Sequence, residues 1–148
     1  MITLQPVTEK NLYAVLQIQG KPNQRHYVSS TAESLAQAYA YSETAYPFAV
    51  CNDNQVVGFI MMGYYAEKEY YTLWKLLIDA RHQGLGYGKR AVTLGIDFLK
   101  RNFQVDKVYT GVLPDNLTAK RLYLSLGFQE TGLFENGMEE MCLLINTK

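Results

Sequence analysis

The stretch Arg81-His82-Gln83-Gly84-Leu85-Gly86-Tyr87-Gly88-Lys89-Arg90 constrains this chain more than any other. Three glycines at alternate positions separate an apolar, strand-like run, residues 73–78, from a helix-like run, residues 91–99. One lysine, Lys75, breaks the first run. Glycine costs backbone entropy and gives close approach and freedom at positive φ. A strand that feeds such a turn into a helix N-terminus aims several free backbone N–H groups at one point. Those donors and the helix dipole together favour anionic oxygen. The turn therefore reads as a cradle for a phosphate-bearing ligand.

Spacing narrows the ligand. A nucleoside-triphosphate loop needs GxxxxGK[ST]. Here Lys89 follows Gly88, but Gln83 stands five residues before Gly88, and Arg90 replaces the hydroxyl residue that would meet Mg²⁺. A dinucleotide fold needs GxGxxG at the start of a βαβ unit. Gly84-x-Gly86-x-Gly88 is GxGxG, and it lies mid-chain behind a hairpin pattern.

The rest of the chain predicts a mixed α/β architecture in the order βααβββαβαββ. Residues 2–7 read as a strand and 9–19 as a helix behind Thr8. Ser30-x-x-Glu33 has capping-box spacing and opens a helix to about residue 42. Strands follow at 46–51, 55–64 and 70–78, the first two joined by Asn52-Asp53-Asn54. A helix from about 86 to 102, a strand at 105–112 and a short helix capped by Asp115 or Asn116 come next. Gly127 stops that helix. Strands at 128–134 and 138–145 flank an Asn136-Gly137 hairpin step.

With 148 residues the chain suits one domain spanning residues 1–148. Basic and acidic residues balance at 14 each, which gives no basic excess to attract nucleic acid or an anionic membrane. No run approaches a membrane span, and the first residues lack signal-peptide character, so the cytoplasm is the expected compartment. Cys51 and Cys142 lie in apolar runs without paired spacing and read as reduced thiols. With neither CxxC, HExxH nor a His cluster, a metal site has no support.

Gln83-x-x-Gly86-x-Gly88 resembles the acyl-CoA pyrophosphate loop of the GNAT N-acetyltransferases, whose pattern is Arg/Gln-x-x-Gly-x-Gly/Ala. Downstream, Asn116-x-x-Ala119-x-x-x-Tyr123-x-x-x-Gly127-Phe128 is similar to that family's second signature. Within the family, Gln24-x-x-Tyr27-Val28, Ser30-Thr31 and Val57-Gly58-Phe59 look like segments of the bacterial spermine/spermidine (diamine) acetyltransferases.

The resemblance implies a mostly antiparallel sheet flanked by helices, and transfer of acetyl from acetyl-CoA to a primary amine of a polyamine. It implies direct transfer within a ternary complex. Backbone N–H groups across Gln83, Gly84, Leu85, Gly86, Tyr87, Gly88 and Lys89 would hold the pyrophosphate. Leu76, Leu77 and Ile78 would run beside the pantetheine arm, with Asn116 and Ala119 also meeting the cofactor. Tyr123 matches the general acid. Tyr27, Glu33, Glu67, Glu69 and Trp74 are candidates for holding a polycation by ion pairing and cation–π contact. Each has a plainer reading too: Asn116 as a helix cap, Tyr123 as core, Glu33 as a capping residue, Glu67 and Glu69 as a solvated turn. His26 and His82 are poor candidates for the base. Another amine acceptor, or a non-catalytic acyl-CoA-binding module, stays open. Homodimers are frequent in the family, and the last two strands could supply an interface.

Overall fold

The element order of the computed structural model is the expected one, and residues 1–145 are described. It runs β1 (Ile2–Pro6), α1 (Leu12–Leu16), α2 (Thr31–Ala40), β2 (Ala45–Asn52), β3 (Gln55–Tyr65), β4 (Tyr70–Ile78), α3 (Tyr87–Asn102), β5 (Lys107–Val112), α4 (Leu117–Ser125), β6 (Gln129–Glu135) and β7 (Met138–Leu144). The seven strands form one sheet in the order β1-β2-β3-β4-β5-β7-β6. Every neighbouring pair is antiparallel except β4 and β5. That parallel pair needs a long crossover, and α3 supplies it.

β3 shows why the sheet is covered on both faces. Its centre, Val57 to Gly63, is buried throughout, as a strand packed on both sides must be. Side chains alternate along it. Phe59 and Met61 join Val15 and Leu35 of α1 and α2, while Ile60 and Met62 join Ala91, Val92 and Leu99 of α3. Gly58 lets β4 come close. A Cβ there would lie 2.6 Å from the Leu77 carbonyl oxygen.

Two helices are shorter than the periodicity predicts. The 9–19 helix shrinks to α1. Asn11 folds back, accepting from the Thr8 N–H at 2.8 Å and donating to the Pro6 carbonyl at 2.9 Å, so local side-chain bonds replace the first helical turn. At the other end, the Gln19 N–H donates to the Asp79 carboxylate at 3.2 Å and draws the chain off the helix axis. α2 stops at Ala40 because the Tyr41 carbonyl turns to accept from Thr44 and Ala45, both at 2.9 Å.

The feature that places the site is a divergence between β4 and β5. They pair only from Tyr71–Val108 to Leu73–Thr110, although both strands continue beyond. The divergence starts at a bulge: Met62 faces Leu73 and Met61 faces Lys75, so Trp74 has no partner on β3. A bulge bends its strand and raises its twist.

Candidate active site

Past Leu73 the edge of β4 that faces β5 carries backbone groups without a ladder partner among the described residues. Such an edge accepts an extended, amide-bearing chain as it would another strand. Between the two strands lies a cavity of about 590 Å³ whose walls include Trp74, Lys75 and Leu76 of β4, Thr110 to Val112 of β5, and Asn116, Ala119 and Tyr123 of the α4 region. The segment 25–30 roofs it. Tyr27 holds that roof down by donating from its hydroxyl to the Asp115 carbonyl at 3.2 Å, and His26 Nε2 lies 3.5 Å from the Asp115 carboxylate. A second hollow, about 750 Å³, lies between α1 and the β2–β3 turn and touches Asp79 and Arg81 rather than Tyr123.

The glycine turn lies beyond the far end of β4. Gly84 and Gly86 have φ of +79° and +82°, and a Cβ at either would meet nothing within 4 Å. They are glycine because of backbone conformation and an open approach, not internal crowding. Gly86 is the N-cap of α3, and its carbonyl accepts from Arg90. Among the described residues no acceptor meets the backbone N–H groups of residues 84–89. The turn is held by its side chains from behind. Gln83 Nε2 donates to the Ile78 carbonyl and to Gln24 Oε1, both at 2.9 Å. Tyr87 points into the sheet and accepts from Asn52 Nδ2 at 3.0 Å. Exposed donors and glycines facing outward fit a pyrophosphate, and the diverging strands fit the amide-bearing arm attached to it.

Tyr123 and Phe128 of the second signature pack together, ring centroids 5.3 Å apart. Tyr123 is buried, and burial pushes its phenol up to about 12, with the Thr110 side chain pulling the other way. Its proton therefore stays on oxygen at neutral pH. Asn116 is the N-cap of α4, its Oδ1 accepting from the Ala119 N–H at 3.3 Å, and it lines the cavity as well. The cap reading is thus observed, and the same residue is open to the cavity.

The structure divides the other expected residues. Tyr27, Trp74 and Leu76 meet in the cavity, whereas Leu77 and Ile78 are not among the residues lining it. Glu33 is exposed on the first turn of α2. Glu67 and Glu69 lie exposed in the β3–β4 turn, at the opposite end of β4 from the glycines, where the Tyr65 hydroxyl donates to Glu67 at 3.4 Å. Among the described residues no carboxylate lines the cavity. Lys75, to which sequence reasoning assigned no role, does line it. Its Nζ donates to Ser29 Oγ at 2.7 Å, and burial lowers its pKa while Glu33 opposes the shift. The signal was present: a lysine in a run of otherwise apolar residues.

Residues 12–128 match the acetyltransferase (GNAT) family. The chain belongs to that family. It is a GNAT acetyltransferase and uses acetyl-CoA as co-substrate for N-acetylation. It is 31% identical over 149 residues to the spermine/spermidine N(1)-acetyltransferase of Bacillus subtilis, covering 95% of this chain and 96% of that one. Two solved structures share the GNAT fold. The spermidine N-acetyltransferase of Vibrio cholerae in complex with CoA and spermine superposes with a TM-score of 0.76 at 20% identity, covering 97% of this chain and 95% of the other. The PaiA N-acetyltransferase of Thermoplasma acidophilum in complex with coenzyme A gives 0.75 at 14% identity, covering 98% and 99%. No helix among the described residues of this GNAT acetyltransferase is long and apolar enough to cross a membrane.

Proposed function

We propose that the protein transfers acetyl from acetyl-CoA directly to a primary amine of a polyamine such as spermine or spermidine, with Tyr123 as the proton donor to the leaving thiolate. The observation that carries this reading is the cavity between β4 and β5, which brings a protonated, buried phenol to the open edge of the strand that runs to the glycine turn. The polyamine acceptor is supported by the similarity to the Bacillus subtilis enzyme and by Tyr27 and Trp74 in the cavity wall, two aromatic faces suited to an alkylammonium chain.

The chain's own residues divide the work. Backbone N–H groups of residues 84–89 hold the pyrophosphate, and the open edge of β4 aligns the pantetheine amides. The neutral amine attacks the thioester carbonyl. As the C–S bond breaks, the Tyr123 hydroxyl gives its proton to sulfur. No covalent enzyme intermediate is required.

The test is CoA release from acetyl-CoA with spermine, spermidine, a lysine peptide and an amino sugar. Release with the polyamines alone supports the reading. Release only with another amine replaces the acceptor, and tight CoA binding without release from any amine replaces the enzyme with a binding module.

A further inference from the structure

The acceptor arrives as an ammonium ion and must lose a proton before it can attack, so the site needs a base. A carboxylate would serve, and the cavity wall contains none among the described residues. Its proton-accepting candidates are His26 and Lys75. His26 is exposed on the roof, its ring tilted against Tyr27 with centroids 4.1 Å apart and its Nε2 3.5 Å from the Asp115 carboxylate, so the ring is already engaged. Lys75 stands on β4 itself, one residue past the unpartnered Trp74, half-buried where the strands diverge.

Resting on the acetyl-transfer reading above, we propose that Lys75 is the general base: as a neutral amine it accepts the proton of the acceptor ammonium within the β4–β5 cavity. The groups facing it are these. Ser29 of the roof receives its hydrogen bond at 2.7 Å, and Glu33 of α2 is the carboxylate whose charge reaches it. Arg25, His26 and Tyr27 of the roof and Tyr123 of α4 share the cavity wall, and its Nζ lies 5.9 Å from the Trp74 ring centroid. Opposite it on β3 stands Met61, fully buried and apolar. Desolvation from that side favours the neutral amine, and a lysine shifts readily when buried. An incoming ammonium adds like-charge repulsion in the same sense. A neutral Lys75 spares the incoming ammonium a further like charge beside Arg25, in a wall that contains no carboxylate among the described residues.

The protons balance. The ammonium gives one proton to Lys75 Nζ and becomes the nucleophile. Its nitrogen bonds to the carbonyl carbon, the C–S bond breaks, and sulfur takes the Tyr123 proton. The phenolate recovers a proton from the acylated nitrogen, which leaves a neutral amide. Lys75 releases its proton to solvent, so the net products are amide, thiol and one proton.

The experiment compares Lys75→Met and Lys75→Arg with the unaltered enzyme, using an amine that the latter acetylates. We expect both variants to lose about 100-fold or more in kcat with acetyl-CoA affinity within about threefold, the range of a lost general base. The acidic limb of their pH–rate profile should move up toward the acceptor's own ionisation, near about pH 10. If Lys75→Arg retains kcat within about threefold, a fixed positive charge suffices and the base assignment is overturned. A melting curve and acetyl-CoA affinity check that each variant folds. NMR titration of the Lys75 side-chain nitrogen in the unaltered, CoA-bound protein needs no acceptor. An ammonium that stays charged through about pH 10, the ordinary lysine range, overturns the proposal by itself. Failure to acetylate any amine, with Lys75 titrating low, instead counts against the acetyl-transfer reading while the ionisation of Lys75 stands.

Discussion

Thr110 Oγ1 donates a 2.9 Å hydrogen bond to the Leu73 carbonyl, and these two residues are also the last pair of the β4–β5 ladder. The side chain closes the ladder where the backbones begin to part. Thr110 is buried, so the bond is shielded, and Thr110 lies in the same wall as Tyr123.

Thr110→Val keeps the shape and removes the hydroxyl. It leaves the Leu73 carbonyl without this donor in a buried place, which costs about 1–3 kcal/mol. Urea unfolding should show that loss, and Thr110→Ser should recover most of it. A Thr110→Val protein as stable as the original would mean that the hydroxyl does not hold the junction.

Tyr123→Phe removes the phenolic proton and little else, since the ring stays packed on Phe128. We expect kcat to fall about 10-fold or more, with acetyl-CoA binding unchanged, as for the loss of a general acid. Because burial pushes this phenol up to about 12, with Thr110 opposing, it is protonated across the usual assay range. The unaltered enzyme should therefore show no basic limb from Tyr123 below about pH 11. Calorimetry with acetyl-CoA and steady-state rates across pH check both parts, and an unchanged kcat would remove Tyr123 from the mechanism.

The order of elements and the geometry of the glycine turn were legible because local chemistry carries them. Gly84, Gly86 and Gln83 are required by the turn itself, and Asn116 caps its own helix. The cavity as a whole was not legible, although two of its lining residues, Tyr27 and Trp74, stood out in the sequence. Its wall is assembled from the roof at 25–30, the bulge at Trp74 and the end of β5, segments far apart in sequence that meet only because β4 bends. Glu67 and Glu69 stand next to β4 in sequence, but at the end opposite the glycine turn and outside the cavity wall. The end of the 9–19 helix failed for a similar reason: Asp79, sixty residues away, captures the Gln19 N–H.

Gly86→Val and Gly88→Ala should separate ligand access from packing. At Gly86 a side chain meets no protein atom within 4 Å, but it sits at a φ of +82° and projects into the open approach to the turn, where the proposed function puts the phosphates. A β-branched residue is disfavoured there by about 1–2 kcal/mol, and acetyl-CoA affinity should drop at least about 10-fold. At Gly88, inside α3, a Cβ would make ordinary contacts with Leu122 and Ile78 at 3.6 and 3.7 Å. Alanine there should leave stability equal or slightly higher, by up to about 1 kcal/mol of helix propensity, and affinity nearly unchanged. Equal affinities in the two variants would place the phosphates off this turn.

Asp79 should give the fold a dependence on acid. It is buried, and burial raises its pKa, but hydrogen bonds from the Arg81 side chain and N–H and from the Gln19 N–H outweigh that and hold the carboxyl below its usual range. The bonds are 2.8 Å from Arg81 Nε, 3.0 Å from the Arg81 N–H and 3.2 Å from the Gln19 N–H. They tie the end of the α1 segment to the chain just ahead of the glycine turn. Above the unfolded value of about 3.9 the carboxyl is ionised in both states, and its contribution is fully present. As the pH falls below about 4 the unfolded chain takes the proton first, so stability declines until the pH passes below the folded value. Asp79→Asn should lose about 2 kcal/mol at pH 7, in the range of hydrogen bonds to a charged group. The gap between the two proteins should narrow as the pH drops from 5 to 3, by about the loss that the unaltered protein shows. Urea titrations at pH 7, 5, 4 and 3 measure this, and a gap that stays constant across them would show that the ionised carboxylate is not what holds the segment.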